Sequence, residues 1–320
     1  MEPELCGAFH RLKDANTVPW RMFGAPIPSS RNLQPPSKAM NPWHSSLAAA
    51  LILSSVVWAD DSVPGPDGWR FEEIRRFTAS EARQGVAADQ DFLYVISNHD
   101  IGKYRKTTGE RVATWSCPEG QPLTHVNAGV VFIGQLHGAH SNYPGVPHVS
   151  SVELWNPATL KHVGAISLGR TDGSLTWIDR RADHWIACFV HYAGRGGEPG
   201  RGPEWTRLAE FTDDWAPTGR GWVFPPDLIA YLGKRGFGIS GGAIGPGGFL
   251  FVTGHDEKAL CVLEFPDAGS TLKWVATVPV TAEGQAFAWD PIEPGVIHMI
   301  LKRERMVITG RISRSSPAGN

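Results

Sequence analysis

The chain is poor in the features that define several large classes of protein. Its net charge is −2, with 30 Lys and Arg against 32 Asp and Glu, which gives no reason to expect nucleic acid or an anionic membrane surface as a partner. It has no phosphate-binding loop and no H-E-x-x-H motif, which excludes standard P-loop NTPases and zincin metalloproteases. Cysteines number only four, and Cys188 and Cys261 fall within apolar strands, so we expect buried free thiols rather than a disulfide framework.

Glycine, proline and tryptophan are abundant, with 36, 25 and 13 residues, and they accompany an internal repeat. The segment 84–89 (QGVAAD) matches 285–290 (QAFAWD) and 174–179 (SLTWID), and weaker copies begin at Asn127 and Gly241. Each copy is followed by turns and further short apolar runs. Four short antiparallel strands per repeat, separated by Gly, Pro, Asn and Asp turns, are typical of a β-propeller blade.

Counting the repeats predicts an all-β fold, a five-bladed β-propeller. The C-terminal repeat supplies only three strands, at 285–289, 296–301 and 306–312, and the segment 69–77 (WRFEEIRRF) is available as the fourth. The N-terminal strand would then close the last blade. A β-sandwich has a similar strand spacing, but it does not explain the recurring first strand.

The segment before the repeats predicts export. The apolar run 47–59 (LAAALILSSVVWA) has the length of a signal-peptide core and is too short to span a membrane. We interpret 1–39 as a non-domain N-terminal extension, 40–59 as a signal peptide that starts at Met40, and 60–320 as a single domain. The prediction is a periplasmic or secreted protein with no membrane insertion after processing. A cytoplasmic tail followed by a membrane anchor is the alternative.

Four histidines recur at nearly the same place in successive repeats, where the second strand ends: His99, His140, His191 and His255. In a propeller these positions would converge on the axis, and neutral imidazole is the commonest protein ligand for divalent transition metals. The sequence therefore predicts an axial divalent metal ion, with Zn, Mn or Fe as the candidates. The alternative is that they are loop residues bonded to the backbone. Other histidines of the domain, such as His148, have no repeat partner and are not expected to be functional.

A second polar set begins the innermost strands of the blades: Gln84, Asn127, Ser174 and Gln285. His125 comes directly before one of these strands. Because the first strand of a blade lies nearest the axis, these side chains would form a polar ring there. We predict that His125, Gln84, Asn127 and Gln285 bind substrate.

The mouth of the predicted channel would be basic. The longest loop, 193–205 (AGRGGEPGRGPEW), carries Arg195, and Lys302 and Arg303 lie opposite. Long loops in compact domains are usually functional or disordered. Arginine binds carboxylates bidentately, so Arg195 and Arg303 predict a small acidic substrate. A flexible glycine-rich surface loop is the alternative.

Two tyrosines next to this region are the predicted proton carriers. Tyr192 directly follows His191, and Tyr143 occupies a comparable position after His140. A phenol near a metal or a cation acts as a general acid or base when its pKa is lowered. We therefore predict Tyr192, Tyr143 and Lys302 as catalytic residues.

Several strings resemble a family of secreted bacterial β-propeller proteins that are sometimes labelled cycloisomerase-like. They are QGVAAD, YVISNHDIGKYRKTTGE, AHSNYPGVP and GSLTWID, and the resemblance covers residues 80–312. More distantly, the arrangement is similar to metal-dependent propeller enzymes such as oligogalacturonate lyases. That resemblance implies a divalent ion held by histidines together with Gln84 or Gln285.

These observations predict a secreted metal-dependent lyase, isomerase or hydrolase that acts on a small acidic or sugar-derived molecule. The metal would act as a Lewis acid. One alternative is a non-catalytic propeller that binds carbohydrate or protein, with Tyr143 and Trp205 as stacking platforms. Another is a structural propeller whose histidines only pack and hydrogen-bond. The sequence carries no indication of the oligomeric state.

Overall fold

The computed structural model describes residues 63–315. The segments 1–39 and 40–59, predicted as an extension and a signal peptide, lie outside the described residues. Across 63–315, no helix combines the length and the apolar character that a membrane crossing requires.

Short strands account for most of the described chain. In chain order they are β1 (Trp69–Thr78), β2 (Gly85–Ala88), β3 (Phe92–Ile96), β4 (Asp100–Arg105), β5 (Arg111–Ser116), β6 (Val126–Phe132), β7 (Gln135–Ser141), β8 (Val149–Asn156), β9 (Lys161–Arg170), β10 (Ser174–Arg181), β11 (His184–Val190), β12 (Arg207–Phe211), β13 (Pro217–Val223), β14 (Gly241–Ile244), β15 (Leu250–Thr253), β16 (Ala259–Glu264), β17 (Lys273–Pro279), β18 (Ala288–Trp289), β19 (Val296–Leu301) and β20 (Met306–Arg314). The helical segments are α1 (Pro226–Leu232) and the 3-10 turns Pro203–Trp205 and Pro246–Gly248.

These strands form five separate four-stranded antiparallel sheets, which are the blades of a propeller. Blades one to four follow the chain, as β2–β5, β6–β9, β10–β13 and β14–β17, and blade five has the order β18-β19-β20-β1. The predicted all-β, five-bladed β-propeller is confirmed. A two-layer sandwich does not have this topology, because its strands belong to two sheets rather than five.

The N-terminal strand closes the ring as predicted. β1 pairs antiparallel with β20, from Trp69 opposite Arg314 to Thr78 opposite Met306. Trp69 also packs edge-on against Phe249 and Phe251 of blade four, with ring centroids 5.6 and 5.2 Å apart. The first strand therefore contributes both backbone hydrogen bonds within blade five and apolar contact with the neighbouring blade.

Burial follows from the position of each strand in its blade. The second strands β3, β7, β11 and β15 are almost wholly buried, since both of their faces pack against other blades. The outer strands β5 and β1 alternate between partly buried and exposed residues, as expected where alternate side chains face solvent. Cys188 and Cys261 are buried free thiols, and this prediction is confirmed.

Glycine allows the innermost strands to approach closely at the axis. A Cβ on Gly241 would lie 2.5 Å from the Gln285 carbonyl oxygen and 2.6 Å from Ala286 Cα, both on the backbone of blade five. We expect Gly241→Ala to lower the free energy of unfolding by about 1–3 kcal/mol, because backbone cannot move aside as a flexible side chain can. Gly164→Ala is the matched control, since a Cβ there meets nothing within 4 Å. Urea unfolding of both variants checks this, and equal midpoints would contradict it.

Candidate functional site

A cavity of about 90 Å³ lies where the innermost strands of the five blades meet. One polar side chain from each blade reaches it: Gln84, Asn127, Thr176, Ser240 and Gln285. Because every blade contributes one member, the cavity lies on the propeller axis. We call it the axial cavity and these five residues the polar ring.

Two members of the polar ring are turned toward the axis by β-bulges. The register of β6 with β7 shifts between Val126 and Gly129, and that of β10 with β11 shifts between Leu175 and Trp177. Asn127 and Thr176 lie inside these shifts, and bulges commonly re-aim a side chain at a functional site. The buried Asn127 Oδ1 has no hydrogen-bond partner within the described residues, so it is free to accept a bond from a ligand.

Five larger side chains complete the wall: His125, Tyr143, Tyr192, Phe237 and His255. They pack in two groups, one of which joins Tyr143 to His125 and to Tyr192 with ring centroids 4.9 and 4.8 Å apart. In the other, Phe237 stacks on His255 at 4.0 Å and an interplanar angle of 11°. Burial raises the pKa of the Tyr192 phenol far above its usual range. Tyr192 therefore stays protonated and can donate a hydrogen bond to a ligand.

The tautomer of His125 follows from its hydrogen bonds. Its Nδ1 lies 2.9 Å from Asn98 Oδ1, which also accepts a bond of 2.6 Å from Gln84 Nε2. An amide oxygen only accepts, so Nδ1 carries the proton and Nε2 keeps its lone pair. Burial, together with the nearby His140 and His99, lowers the pKa of His125 to about 4. His125 is therefore a neutral acceptor at neutral pH.

His255 is oriented by charged groups that lie behind it. Its Nδ1 is 2.9 Å from Asp256 Oδ2 and 3.1 Å from Lys302 Nζ. Lys302 has shorter bonds to the His255 carbonyl oxygen, at 2.7 Å, and to Asp256 Oδ1, at 2.8 Å. We therefore assign the Nδ1 proton to the bond with Asp256, which leaves Nε2 as the nitrogen available to a ligand.

The surroundings of His255 and Asp256 lower the pKa of both side chains. Burial lowers the pKa of His255, and the hydrogen bond to Asp256 offsets that effect only in part. Burial alone would raise the pKa of Asp256, but the hydrogen bonds from Lys302 and His255 lower it well below its usual range. Asp256 is therefore ionised and His255 is neutral at neutral pH.

The four repeated histidines have different surroundings, and one of them, His255, lines the axial cavity. His99 bonds through Nδ1 to the Leu123 carbonyl oxygen at 2.9 Å. His140 accepts the Thr124 N–H at 3.2 Å and lies 2.9 Å from Ser151 Oγ. His191 lies beside His148 and Glu198, away from the cavity lining. The structure thus does not gather these four imidazoles into one set, and their roles as axial metal ligands stay predictions.

The predicted basic groups do not line the axial cavity. Arg195 is exposed on its loop, and the exposed Arg303 lies 3.5 Å from Glu283. Lys302 binds Asp256 and so acts on the cavity only through His255. By contrast, six residues predicted as catalytic or substrate-binding do line it: Gln84, His125, Asn127, Tyr143, Tyr192 and Gln285.

Three residues of the cavity were not anticipated from the sequence. Ser174 was expected in the polar ring, but its hydroxyl donates to Ser141 Oγ at 2.8 Å, and Thr176 takes its place. Ser240 lies in the string 238–242 (GISGG), which has the form G-x-S-x-G and was a visible signal. In the structure that string leads into strand β14, not from a strand into a helix, so it lacks the geometry of a nucleophile elbow. Phe237 lies outside the repeated segments, so the repeat did not indicate it as a cavity residue.

No protein-family model and no curated protein matches the chain. Solved structures resemble it only distantly. A luciferin-regenerating enzyme has a TM-score of 0.45 and 10% identity, with 76% of this chain and 94% of that chain covered. The PQQ-bound form of aldose sugar dehydrogenase from Streptomyces coelicolor has a TM-score of 0.47 and 10% identity, with 78% and 100% covered. A glucose dehydrogenase has a TM-score of 0.45 and 12% identity, with 77% and 99% covered.

At these identities and TM-scores the likenesses carry no information about reaction or cofactor. The cycloisomerase-like resemblance of the sequence has no support from a family model or a curated relative and stays a prediction.

Proposed function

We propose that the protein is an enzyme that binds a small uncharged sugar-derived molecule in the axial cavity and moves a proton on it, as an isomerase or a lyase. The observation that carries this proposal is the lining of the cavity. A hydrogen-bonding side chain from every blade surrounds it, and two imidazoles present neutral Nε2 atoms. Such a lining matches the many hydroxyl groups of a sugar and supplies a base.

The charge around the cavity favours a neutral ligand over the acidic one that the loop arginines suggested. Among residues 63–315, no Lys, Arg, Asp or Glu belongs to its lining. Lys302, which bonds to the His255 carbonyl oxygen, is also bonded to Asp256, whose carboxylate neutralises it. A carboxylate of the substrate would lose its hydration here without gaining a paired cation, and that loss is costly.

The same lining argues against hydrolysis of a glycosidic bond by the usual mechanism. That mechanism needs two carboxyl groups that flank the scissile bond. Asp256, which lies next to the cavity, is hydrogen-bonded to His255 and Lys302 and is not part of the lining. Isomerase or lyase chemistry therefore fits better than hydrolysis.

The chemistry that fits is proton transfer next to a carbonyl group. His255 Nε2 would take the proton from the carbon beside the carbonyl, and Asp256 would stabilise the imidazolium that forms. The protonated Tyr192 hydroxyl would hydrogen-bond the carbonyl oxygen as negative charge develops there. In an isomerase the imidazolium returns the proton to the former carbonyl carbon, while the hydroxyl proton of the carbon that lost it passes to the former carbonyl oxygen. In a lyase the hydroxyl group of the next carbon takes the proton from the imidazolium and leaves as water as the double bond forms.

The axial divalent ion, with Zn, Mn or Fe as its candidates, stays a prediction of the sequence. His255 Nε2 cannot bind such an ion while it serves as the base, because its Nδ1 carries the proton and Nε2 has the one free lone pair of the ring.

Incorporation of solvent deuterium into a bound neutral sugar tests the proposal. We expect exchange at the carbon beside the carbonyl, and we expect His255→Gln to slow it by a factor of about 10²–10⁴, the usual contribution of a general base. The control is His184→Gln, a histidine at the start of β11 that does not line the cavity, and its rate should match the native one. Native-like exchange in His255→Gln would overturn the assignment of the base.

Binding separates this proposal from its alternatives. Calorimetry should show that neutral aldoses and ketoses bind and that the corresponding uronic acids bind more weakly. Asn127→Leu should weaken binding of the sugar by roughly 5-fold, because one hydrogen bond is worth about 1 kcal/mol. Tight binding with no exchange would instead favour the non-catalytic carbohydrate-binding propeller. Preferential binding of uronic acids would contradict the charge argument.

A further inference from the structure

A second group of ligand-type side chains lies outside the axial cavity. His148 lies just before β8, His191 follows β11, and Glu198 comes from the loop 193–205. One nitrogen or oxygen from each residue lies within 4.8 Å of the others. Three separate segments, from two neighbouring blades and a loop, thus bring two imidazoles and a carboxylate to one point.

The two imidazoles lack partners in a buried place. His148 and His191 are both 0% exposed, and none of their four ring nitrogens has a hydrogen-bond partner among the described residues. Leaving a buried polar group without a partner is destabilising, and native proteins rarely keep one without a reason. Several such nitrogens beside a carboxylate point to a ligand that would accept their lone pairs.

The distances around His191 fit a metal ligand with an orienting carboxylate. Its Nδ1 lies 3.9 Å from Glu198 Oε2, and its Nε2 lies 3.4 Å from Asp172 Oδ1. Two ligand atoms on one tetrahedral zinc ion lie about 3.3 Å apart, so the three ligand atoms, which lie within 4.8 Å of one another, would move closer together when the ion binds. Metal-bound histidines usually point their other N–H at a carboxylate, which here is Asp172.

The neighbouring arginines leave Glu198 available. Arg207 lies 2.8 Å from Asp172 Oδ2, and Arg201 forms an ion pair with Asp172 Oδ1. Arg201 is 3.8 Å from Glu198, which is longer than a hydrogen bond. The arginines therefore neutralise Asp172, while Glu198 keeps oxygen lone pairs for a cation.

We propose that His148, His191 and Glu198 bind a divalent transition-metal ion, best matched by Zn²⁺, which fixes the loop 193–205 against the wall of the axial cavity. Two histidines and one glutamate are a known zinc ligand set. Gly196 of the same loop packs so closely on the Tyr143 ring that a Cβ there would clash with it. The ion thus holds a loop that supports a side chain of the cavity, and it takes no part in the proton transfer proposed above.

The test uses the full chain, treated with a chelator, dialysed and then titrated with Zn²⁺. We expect one ion per chain by elemental analysis and, with Co²⁺ instead, the visible absorption of a tetrahedral site. Glu198→Gln should bind Zn²⁺ at least about 10-fold more weakly, since a neutral amide replaces a charged ligand. Glu198 is partly exposed, so this variant avoids the folding risk of changing the buried histidines.

A second readout reports on the loop itself. Arg195 and Arg201 are tryptic cleavage sites on it, and Zn²⁺ should slow cleavage there in the native chain but not in Glu198→Gln. His255→Gln is the matched control, because it alters the axial cavity and should keep the ion. Absence of stoichiometric Zn²⁺, or loss of the ion in His255→Gln with retention in Glu198→Gln, would overturn the proposal.

Discussion

Replacing Trp69 by alanine should lower the free energy of unfolding by about 3–5 kcal/mol, as for other large aromatic residues removed from a core. Trp69 is the first residue of the ring-closing strand, and it is only 4% exposed between Phe249 and Phe251. Its loss would leave a void at the junction of blades four and five. The effect should therefore exceed that of an ordinary substitution in an outer strand.

Two further variants make this result specific. Trp69→Phe should cost much less than Trp69→Ala, because the buried Trp69 Nε1 has no hydrogen-bond partner among the described residues and its loss removes no bond. Trp205→Ala is the matched control, because Trp205 is 48% exposed and its truncation should change the free energy by no more than about 0.5 kcal/mol. Denaturant unfolding followed by tryptophan fluorescence and circular dichroism measures all three. Equal effects at Trp69 and Trp205 would refute the ring closure.

Acid should destabilise the protein, and His125 should account for about 3 kcal/mol of that loss between pH 7 and pH 4. The pKa of His125 is about 4 in the folded chain and about 6.5 in an unfolded one. In that interval the unfolded state binds more protons, so the free energy of unfolding falls as pH falls. Below pH 4 the folded state is protonated as well, and the loss from His125 stops growing.

The contribution of His125 is the difference in free energy of unfolding between the native chain and His125→Gln, measured as a function of pH. Other groups titrate in the same region: burial lowers the pKa of His298 and raises that of Asp179 to about 6. The Asp179 contribution has the opposite sign, because its folded state binds the extra proton. Unfolding curves from pH 4 to pH 7 should show a shallower pH dependence in His125→Gln. Parallel curves would show that His125 does not carry the effect.

The fold was predictable because its signal is repeated and physically constrained. The inner strands must be apolar, the turns need Gly, Asn or Asp, and each blade repeats both demands. The pairing of 69–77 with the last blade was predictable from the number of strands, since a three-stranded last blade leaves an edge without a partner. The pairing of Trp69 with Arg314 bears this out.

The site was only partly predictable, because side-chain direction depends on details that the repeat does not record. Polar residues at the heads of inner strands, such as Gln84 and Gln285, reach the axis because those strands are fixed by their neighbours. Counted from equivalent residues of the second strands, the four histidines lie six, four, six and five residues further along the chain. In an extended chain, a difference of one residue in this spacing places a side chain on the opposite side of the strand. The β-bulge that places Thr176 on the axis has no signature in the sequence template.

The grouping of His148 with His191 was not predictable from the repeat for a different reason. His148 belongs to a loop of blade two and Glu198 to a loop of blade three. Neither position recurs in other blades, so a search for equivalent residues passes over both. A contact between loops of neighbouring blades is set by loop length and packing, which differ from one blade to the next.

The pairing of the first strand with the last governs the order in which the protein can be completed. β1 is the first of the strands to be synthesised, and its partner β20 is the last. β1 therefore has no partner until almost the whole domain has been synthesised. Each of the first four blades consists of four strands that follow one another in the chain. Those blades can therefore form while the rest of the chain is still being synthesised. Blade five cannot, and contacts between distant parts of a chain form slowly. Until then β1 presents an unpaired edge, and its charged residues, such as Glu72 and Arg76, disfavour pairing with another chain during that interval.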